Sequence, residues 1–262
     1  MTDDTIPASL AAAWGLRARP GKGPKPGLTL DGIVAAGVKV ATTDGLAAVS
    51  MGRVASELGA ATMSLYRYVT AKQELLDLMV DAAIGPAPLP VDGEGWRAGL
   101  TRFARDHLVL LRSVPWVVRV PLTGPPLTPN QIGWMDYGLT VLRGTGLMEH
   151  EKLSTIMTVA GHVRNWALMT ADMTASAEAA GTTPDEAIQT YGRLLTRLVD
   201  PARFPAVGEL IKSGVLDLPP GDPDEEFEFG LDRLLDGIEA LVERRAADPT
   251  CHPAAESASV RD

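Results

Sequence analysis

The chain has little of what several classes of function require. Its 262 residues hold one cysteine, four histidines, four phenylalanines and four tyrosines. A single thiol, Cys251, makes no intrachain bridge, and in the stretch from Asp248 to Asp262 it reads as an inert exposed group. The histidines fall into no H-x-x-x-H pair, and no G-x-S-x-G elbow is present. The segment Pro20 to Lys25 lacks the strand, the spacing and the Ser or Thr of a phosphate loop. Apolar stretches such as Val114 to Leu122 are broken by Pro or charge well short of the ~18 residues that a membrane span needs. The opening Met-Thr-Asp-Asp is acidic where a secretory leader would be basic and then apolar. Together these absences predict a soluble cytoplasmic protein with no membrane partner, no metal site, no cofactor and no catalytic centre.

Positive charge is also scarce, with 24 Lys and Arg against 33 Asp and Glu and a net charge of −9. Phosphate binding requires cations that displace counterions, so this balance argues at first against nucleic acid. The distribution reverses the argument. Between Arg17 and Lys72 eight cations face three acids, giving that segment +5 and leaving −14 for the remainder. Such an asymmetry predicts a small basic module joined to an acidic body.

Residues 1–27 end in a Pro- and Gly-rich run with Arg17, Arg19, Lys22 and Lys25, which favours neither helix nor strand and reads as a flexible basic arm. From Leu30, apolar or small residues at 33, 34, 37, 38 and 41 follow helical spacing, and Asp44-Gly45 is a stop. Ser50 is placed to cap a short second helix, with Val49 and Val54 as a hydrophobic staple and Met51, Val54, Ala55 and Leu58 as its inner stripe. Gly59 ends that helix, and another short one is expected over Thr62 to Val69 with Leu65 and Val69 inward. Thr70 to Gln73 reads as a capping box opening a fourth helix that closes before Pro86. Beyond Pro90 every strong periodicity is helical: about 96–112, 129–143 and 149–173, then helices started by Thr183-Pro184 and by Asp222-Pro223. The prediction is an all-α fold divided into the arm, a helix-turn-helix domain with its connecting helix at 28–84, a larger helical domain at 85–246 and a disordered tail at 247–262.

Two short helices about a glycine turn form a helix-turn-helix, whose second helix offers its outer face to the major groove. That face would carry Thr62, Met63, Ser64, Tyr66, Arg67 and Tyr68. Thr and Ser bond to bases or phosphates, Met touches a thymine methyl, Arg forks onto guanine and the tyrosine hydroxyls suit phosphate oxygens. Lys72 would sit in the first turn of the next helix, where amides already favour phosphate.

The run from Val49 to Leu76, above all Leu65-Tyr66-Arg67-Tyr68-Val69 followed by Lys72 and Leu75-Leu76, resembles the DNA-binding domain of the tetracycline-repressor (TetR) family. The resemblance implies that Thr62, Met63, Ser64 and Arg67 approach bases, while Ser50, Tyr66, Tyr68 and Lys72 hold the backbone. Arg17 and Arg19 are candidates for the minor groove, against the alternative of a solvated linker.

In the acidic body, Phe227, Leu231, Leu234, Ile238 and Leu241 alternate by four and three residues, a seam that wants a partner helix, either in a second subunit or within the chain. The segment from Phe227 to Leu241 is similar to the last helix of tetracycline-repressor-like C-terminal domains. There the resemblance implies a four-helix dimer interface, with the helix starting at Pro184 as the second contributor. Trp116, Trp134, Tyr137, Met157, His162, Asn165, Trp166 and Met169 are candidates for an effector site, with His107 a further one; ordinary core packing is the alternative for each. The family's tetracycline binders carry a metal-coordinating histidine after the second body helix, and Val118 to Thr123 has none, so tetracycline is not the implied ligand. The reading is a homodimeric regulator, a repressor released from a palindromic double-stranded operator by a small apolar or amphipathic effector. A DNA-binding dimer without effector and an all-α carrier or enzyme with an idle helix-turn-helix are the alternatives.

Overall fold

A computed structural model describes residues 6–16, 28–218, 221–222 and 224–247, and among these every regular element is helical. Eleven α-helices follow in order: α1 (Ala8–Ala13), α2 (Leu30–Asp44), α3 (Met51–Glu57), α4 (Thr62–Leu65), α5 (Lys72–Ile84), α6 (Trp96–Ser113), α7 (Pro129–Val141), α8 (Glu149–Ala179), α9 (Pro184–Leu198), α10 (Pro205–Lys212) and α11 (Glu225–Ala247). Single 3-10 turns lie at Leu46–Ala48, Val117–Arg119 and Val215–Asp217. No described helix is long and apolar enough to cross a membrane.

Helices α2 to α5 make the head. Thr29 caps α2 by accepting from the Gly32 amide, and Ser50 caps α3 by accepting from the Arg53 amide at 3.1 Å. The staple residues Val49 and Val54 are fully buried beside Met51 and Ala55. Gly59 turns the chain between α3 and α4 at φ +62°, a conformation costly for a residue with a Cβ. Helix α4 ends at Leu65 rather than Val69; Tyr66 to Tyr68 form a turn, and Leu65 and Val69 are still the two residues buried beneath it.

Two expectations in this region change. The start of α5 is held by Glu74 rather than Gln73: the Glu74 carboxylate receives the Thr70 amide and hydroxyl, whereas Gln73 donates to Asp77. The acid one residue further on wins because a charged acceptor makes the stronger bond to an orphan amide. The N-terminal segment is also more ordered than its reading as an arm, since the alanine-rich run at 8–13 has the highest intrinsic helix propensity and forms α1. Helix α1 docks: buried Ser9 bonds Glu74, and the Trp14 indole donates to the Leu127 carbonyl at 2.8 Å. Arg17, Arg19, Cys251 and the tail beyond Ala247 lie outside the described residues.

Helices α6, α7, α8 and α11 form the body core, while α9, α10 and the last 3-10 turn pack on one another at the far end of α8. Thr183 and Glu186 make a reciprocal capping box at the start of α9, with Pro184 at its first position. Helix α11 begins at Glu225, later than Pro223, with the Asp222 carboxylate accepting from the Asp224 amide. Helix α8 runs six residues past its expected end, to Ala179, and α10 has no counterpart in the sequence reading.

The heptad stripe of α11 is satisfied largely within the chain. Phe227 and Leu231 are fully buried, as are Leu235 and nearly Ile238, in the groove beside α6 and α8; Leu234 and Leu241 are half-buried. The expectation that all five seam residues await a second subunit is therefore corrected, because an intramolecular groove accepts the same periodicity.

Candidate nucleic-acid interface and effector cluster

The head turns its unpartnered chemistry outward. Met63 is 74% exposed and Tyr66 42%, while Arg67 and Lys72 are exposed and carry no ion pair among the described residues; Thr62 and Ser64 are half-buried beside them. The other cations of the head are occupied. Lys39 pairs with Glu57 at 2.6 Å, and Arg53 bridges Glu57 and Asp44 at 2.8 and 2.9 Å. These contacts hold the Glu57 carboxyl below its usual range, Lys39 first and Arg53 second.

Tyr68 departs from its expected role. Its side chain is half-buried, and its hydroxyl donates to the Leu28 carbonyl at 2.8 Å, so the proton that would meet a phosphate oxygen instead ties the recognition turn to the start of the head. Ser50 is exposed with its oxygen engaged as a cap, which leaves its hydroxyl proton free to donate.

The residues proposed to line an effector site separate into three groups. The first is an aromatic cluster between α6 and α7. His107 stacks on Trp134 at 5.1 Å, and Phe103, which the sequence reading passed over, meets His107, Trp134 and Tyr137 edge-on at 5.5 to 6.1 Å. Burial pushes His107 down to about 4, with the Arg164 guanidinium adding to the effect, so the imidazole is neutral and its Nδ1 has no hydrogen-bond partner. The Tyr137 hydroxyl is raised by burial, and it makes no hydrogen bond of good geometry although the Asp106 carboxylate lies in range. The Trp116 indole N–H, buried before the second 3-10 turn, is also without a partner. Arg164, likewise unforeseen, reaches from α8 to the Val118 and Val120 carbonyls at 2.7 and 2.8 Å. A buried donor or acceptor left unmet costs about 1–3 kcal/mol, so each of these groups is held at a cost that the fold itself does not recover.

The second group joins α8 to α11. The His162 ring stacks on Phe227 at 5.0 Å, and its Nε2 lies 3.0 Å from the Phe227 carbonyl; that oxygen only accepts, so Nε2 carries the proton. Gly230 permits this approach, since a Cβ there would stand 2.6 Å from the ring. Trp166 leans on Phe227 at 6.4 Å with its indole N–H buried and unpartnered. His162 is thus a structural clasp.

The third group faces outward. Met157 is 67% exposed, Met169 is 39% exposed and Asn165 is exposed on the same side of α8, which removes all three from an interior cavity. The reason is register: these three lie on the half of α8 turned away from the buried Ile156, Val159, Val163 and Ala167.

Among the described residues no group of three or more His, Cys, Asp or Glu side chains is placed to hold a metal ion. Separately, an open cleft of about 510 Å³ lies where head meets body, lined by Leu46, Lys72, Leu76, Arg119 and Pro121 among others.

Comparison with known proteins agrees with both halves of this description. Residues 33–79 match the family described as bacterial regulatory proteins, tetR family, and residues 89–242 match the tetracyclin repressor-like C-terminal domain. The HTH-type transcriptional repressor DrrR1 of Streptomyces coeruleorubidus is 39% identical over 93% of this chain and 89% of its own length. Among solved structures, apo ActR of Streptomyces coelicolor superposes with a TM-score of 0.66 at 25% identity, over 84% of this chain and 99% of ActR. ActR in complex with actinorhodin gives 0.67 at 25% identity, over 83% and 97%. A helix-turn-helix head whose free cations stand outside, carried on a helical body that matches along most of its length, shows that this chain belongs to the TetR family of DNA-binding transcriptional regulators.

Proposed function

We propose that the protein is a homodimeric repressor that holds a palindromic operator until a small molecule enters the cluster between α6 and α7. The observation that carries this reading is the set of unmet polar atoms inside the body: His107 Nδ1, Trp116 Nε1 and the Tyr137 hydroxyl. Two are aromatic-ring groups on an otherwise apolar wall, and an indole N–H can only donate. The effector is therefore aromatic or otherwise flat, with an acceptor oxygen aimed at the indole N–H and a polar group set against the imidazole Nδ1. The domain division at 28–84 and 85–246 belongs to this reading, with α5 as the connection that carries the change to the head.

The outer face of α8 supports a second subunit as its cover. Met157 and Met169 are exposed on it, and Gly161 between them leaves room for close approach; on α11 Phe229 is exposed as well. We assign dimerisation to α8 with the outer side of α11, rather than to the buried stripe of α11 or to α9 alone. Two heads about one helical turn apart, ~34 Å, then match two half-sites.

The test is selection of duplexes from a random library, followed by footprinting with the purified protein. Protection of a palindrome by a dimer, lost in Tyr66→Ala, supports the reading; weak binding that follows only salt concentration overturns it. Because the structurally similar ActR was captured with actinorhodin, that compound is the first probe for release. By linkage, an effector that weakens operator binding must itself be weakened by operator to the same factor.

A further inference from the structure

Two helices of the body start in the same way and are capped differently. Helix α9 follows Thr183, whose backbone lies at φ −93°, ψ 159°, with Pro184 next; the Thr183 hydroxyl accepts from the Glu186 amide at 3.2 Å. Helix α7 follows Thr128, at φ −89°, ψ 152°, with Pro129 next, yet Thr128 makes no capping bond. Its hydroxyl is instead buried with no partner. The first-turn amides of α7 are taken by Asp81 on α5, whose Oδ1 accepts from Asn130 N at 2.8 Å and from Gln131 N at 3.1 Å. The Asn130 side-chain amide returns to Asp81, donating to its backbone carbonyl at 2.9 Å. Asp81 is 8% exposed, and it is the one buried carboxylate among the described residues. Further along, the Trp134 indole donates to the Gly85 carbonyl at 3.2 Å, so the end of α5 is tied to α7 twice.

From this we propose that the start of α7 is a two-position latch, capped by Asp81 when α5 is docked and by Thr128 when α5 withdraws. Thr128 already has the backbone of a working cap, so a rotation about χ1 brings its oxygen to the Gln131 amide that Asp81 vacates. The freed carboxylate passes to solvent. The docked position serves both amides and the withdrawn one serves that of Gln131, as Thr183 serves Glu186, which gives the two discrete arrangements that coupling between sites requires. Asp81 is thereby a positioning residue for the head, acting through α5 without touching DNA. The proposal rests on the regulator reading, and it adds a direction: Trp134 of α7 stacks on His107, so a ligand that parts α7 from α6 draws on the same helix that grips α5. The docked position is the DNA-binding one.

The spare cap is tested by a double-mutant cycle on urea stability with the full chain. Thr128→Val removes a hydroxyl that bonds nothing and is expected to leave the unfolding constant within about twofold. Asp81→Ala is expected to cost about fivefold more in the Thr128→Val background than alone, the ratio that corresponds to one ordinary cap. Additive effects overturn the spare cap. The coupling is tested by hydrogen exchange of the Asn130 and Gln131 amides with and without the selected operator duplex. Operator is expected to slow the exchange of the Asn130 amide at least threefold in the wild type and not at all in Asp81→Ala, or in Asp81→Leu should the alanine variant fail to fold. Exchange that ignores operator in the wild type shows a purely structural cap and overturns the latch. If the wild type selects no duplex, the regulator reading itself has failed, a result distinct from either.

Discussion

In the head, the described side chains without a protein partner stand outside, whereas the body also encloses polar groups without one. Arg67, Lys72, Met63 and Tyr66 are offered to solvent on a frame whose caps and ion pairs are closed by local partners. The buried polar atoms left unmet among the described residues belong to His107, Trp116, Thr128, Tyr137 and Trp166, all beyond α5. The difference teaches what each half recognises. A surface of free donors on a rigid frame suits a large partner that arrives from outside, and a core with unmet donors suits a guest small enough to be enclosed.

The largest effect is expected where the body is read as closed. Phe227 is fully buried and flanked by His162 and Trp166, so Phe227→Ala should destabilise the folded chain by about 3–5 kcal/mol. Phe229→Ala, two residues on and 64% exposed, should leave subunit stability nearly unchanged and weaken dimerisation. Urea unfolding beside sedimentation separates the two; equal losses of stability would break the distinction between an internal and an external face of α11.

Next is a pH effect confined to the body. His107 falls to about 4 when folded, against about 6.5 in an unfolded chain. The unfolded state therefore binds the extra proton between those values, and stability falls as pH drops from about 6.5 to 4. The loss approaches about 3 kcal/mol. His107→Phe should flatten that part of the pH profile, measured by urea midpoints from pH 7 to pH 4. A profile unchanged by the substitution would mean that the imidazole reaches solvent.

A smaller effect tests the head. Arg67→Ala should weaken operator binding by about 1–3 kcal/mol and relax the preference at one base position, with stability unaltered. Lys72→Ala should weaken binding to all sequences alike and lower the salt slope by about one. Anisotropy titrations against the selected operator and a scrambled duplex distinguish them.

The same contrast explains what was legible in the sequence. Head geometry is set by local rules, and Ser50, Val49, Val54, Gly59, Leu65 and Val69 all stand where capping, stapling and periodicity put them. The body depends on contacts distant along the chain. Asp81 meets Asn130 across 49 residues and Arg164 meets Val118 across 46, and no local pattern marks either. Helical period alone could not tell which stripe of α11 faces inward, because an internal groove and a second subunit accept the same spacing. Nor could it separate His107, walled in by Phe103 and Trp134, from Met157 and Met169 on the outer face of α8. The tie made by Tyr68 is hidden from local pattern for a related reason: its partner, Leu28, lies 40 residues earlier.

The smallest expected effect bears most directly on the interior of the body. The Trp166 indole N–H is buried without a partner beside Phe227, so Trp166→Phe removes a donor that makes no bond within the chain. Its stability should stay within about 1 kcal/mol of the wild type, since deleting an unmet buried group offsets part of the packing lost, whereas deleting a satisfied one exposes its partner at about 1–3 kcal/mol. Urea unfolding measures the first quantity, and thermal shift with actinorhodin across a concentration series measures the second. Unchanged stability with a reduced ligand shift would extend the effector contacts from the α6–α7 cluster to α8. Unchanged values of both would confine the site to His107, Trp116 and Tyr137, and a large loss of stability alone would show that a buried water meets the Trp166 N–H, making that corner of the body as closed as the head.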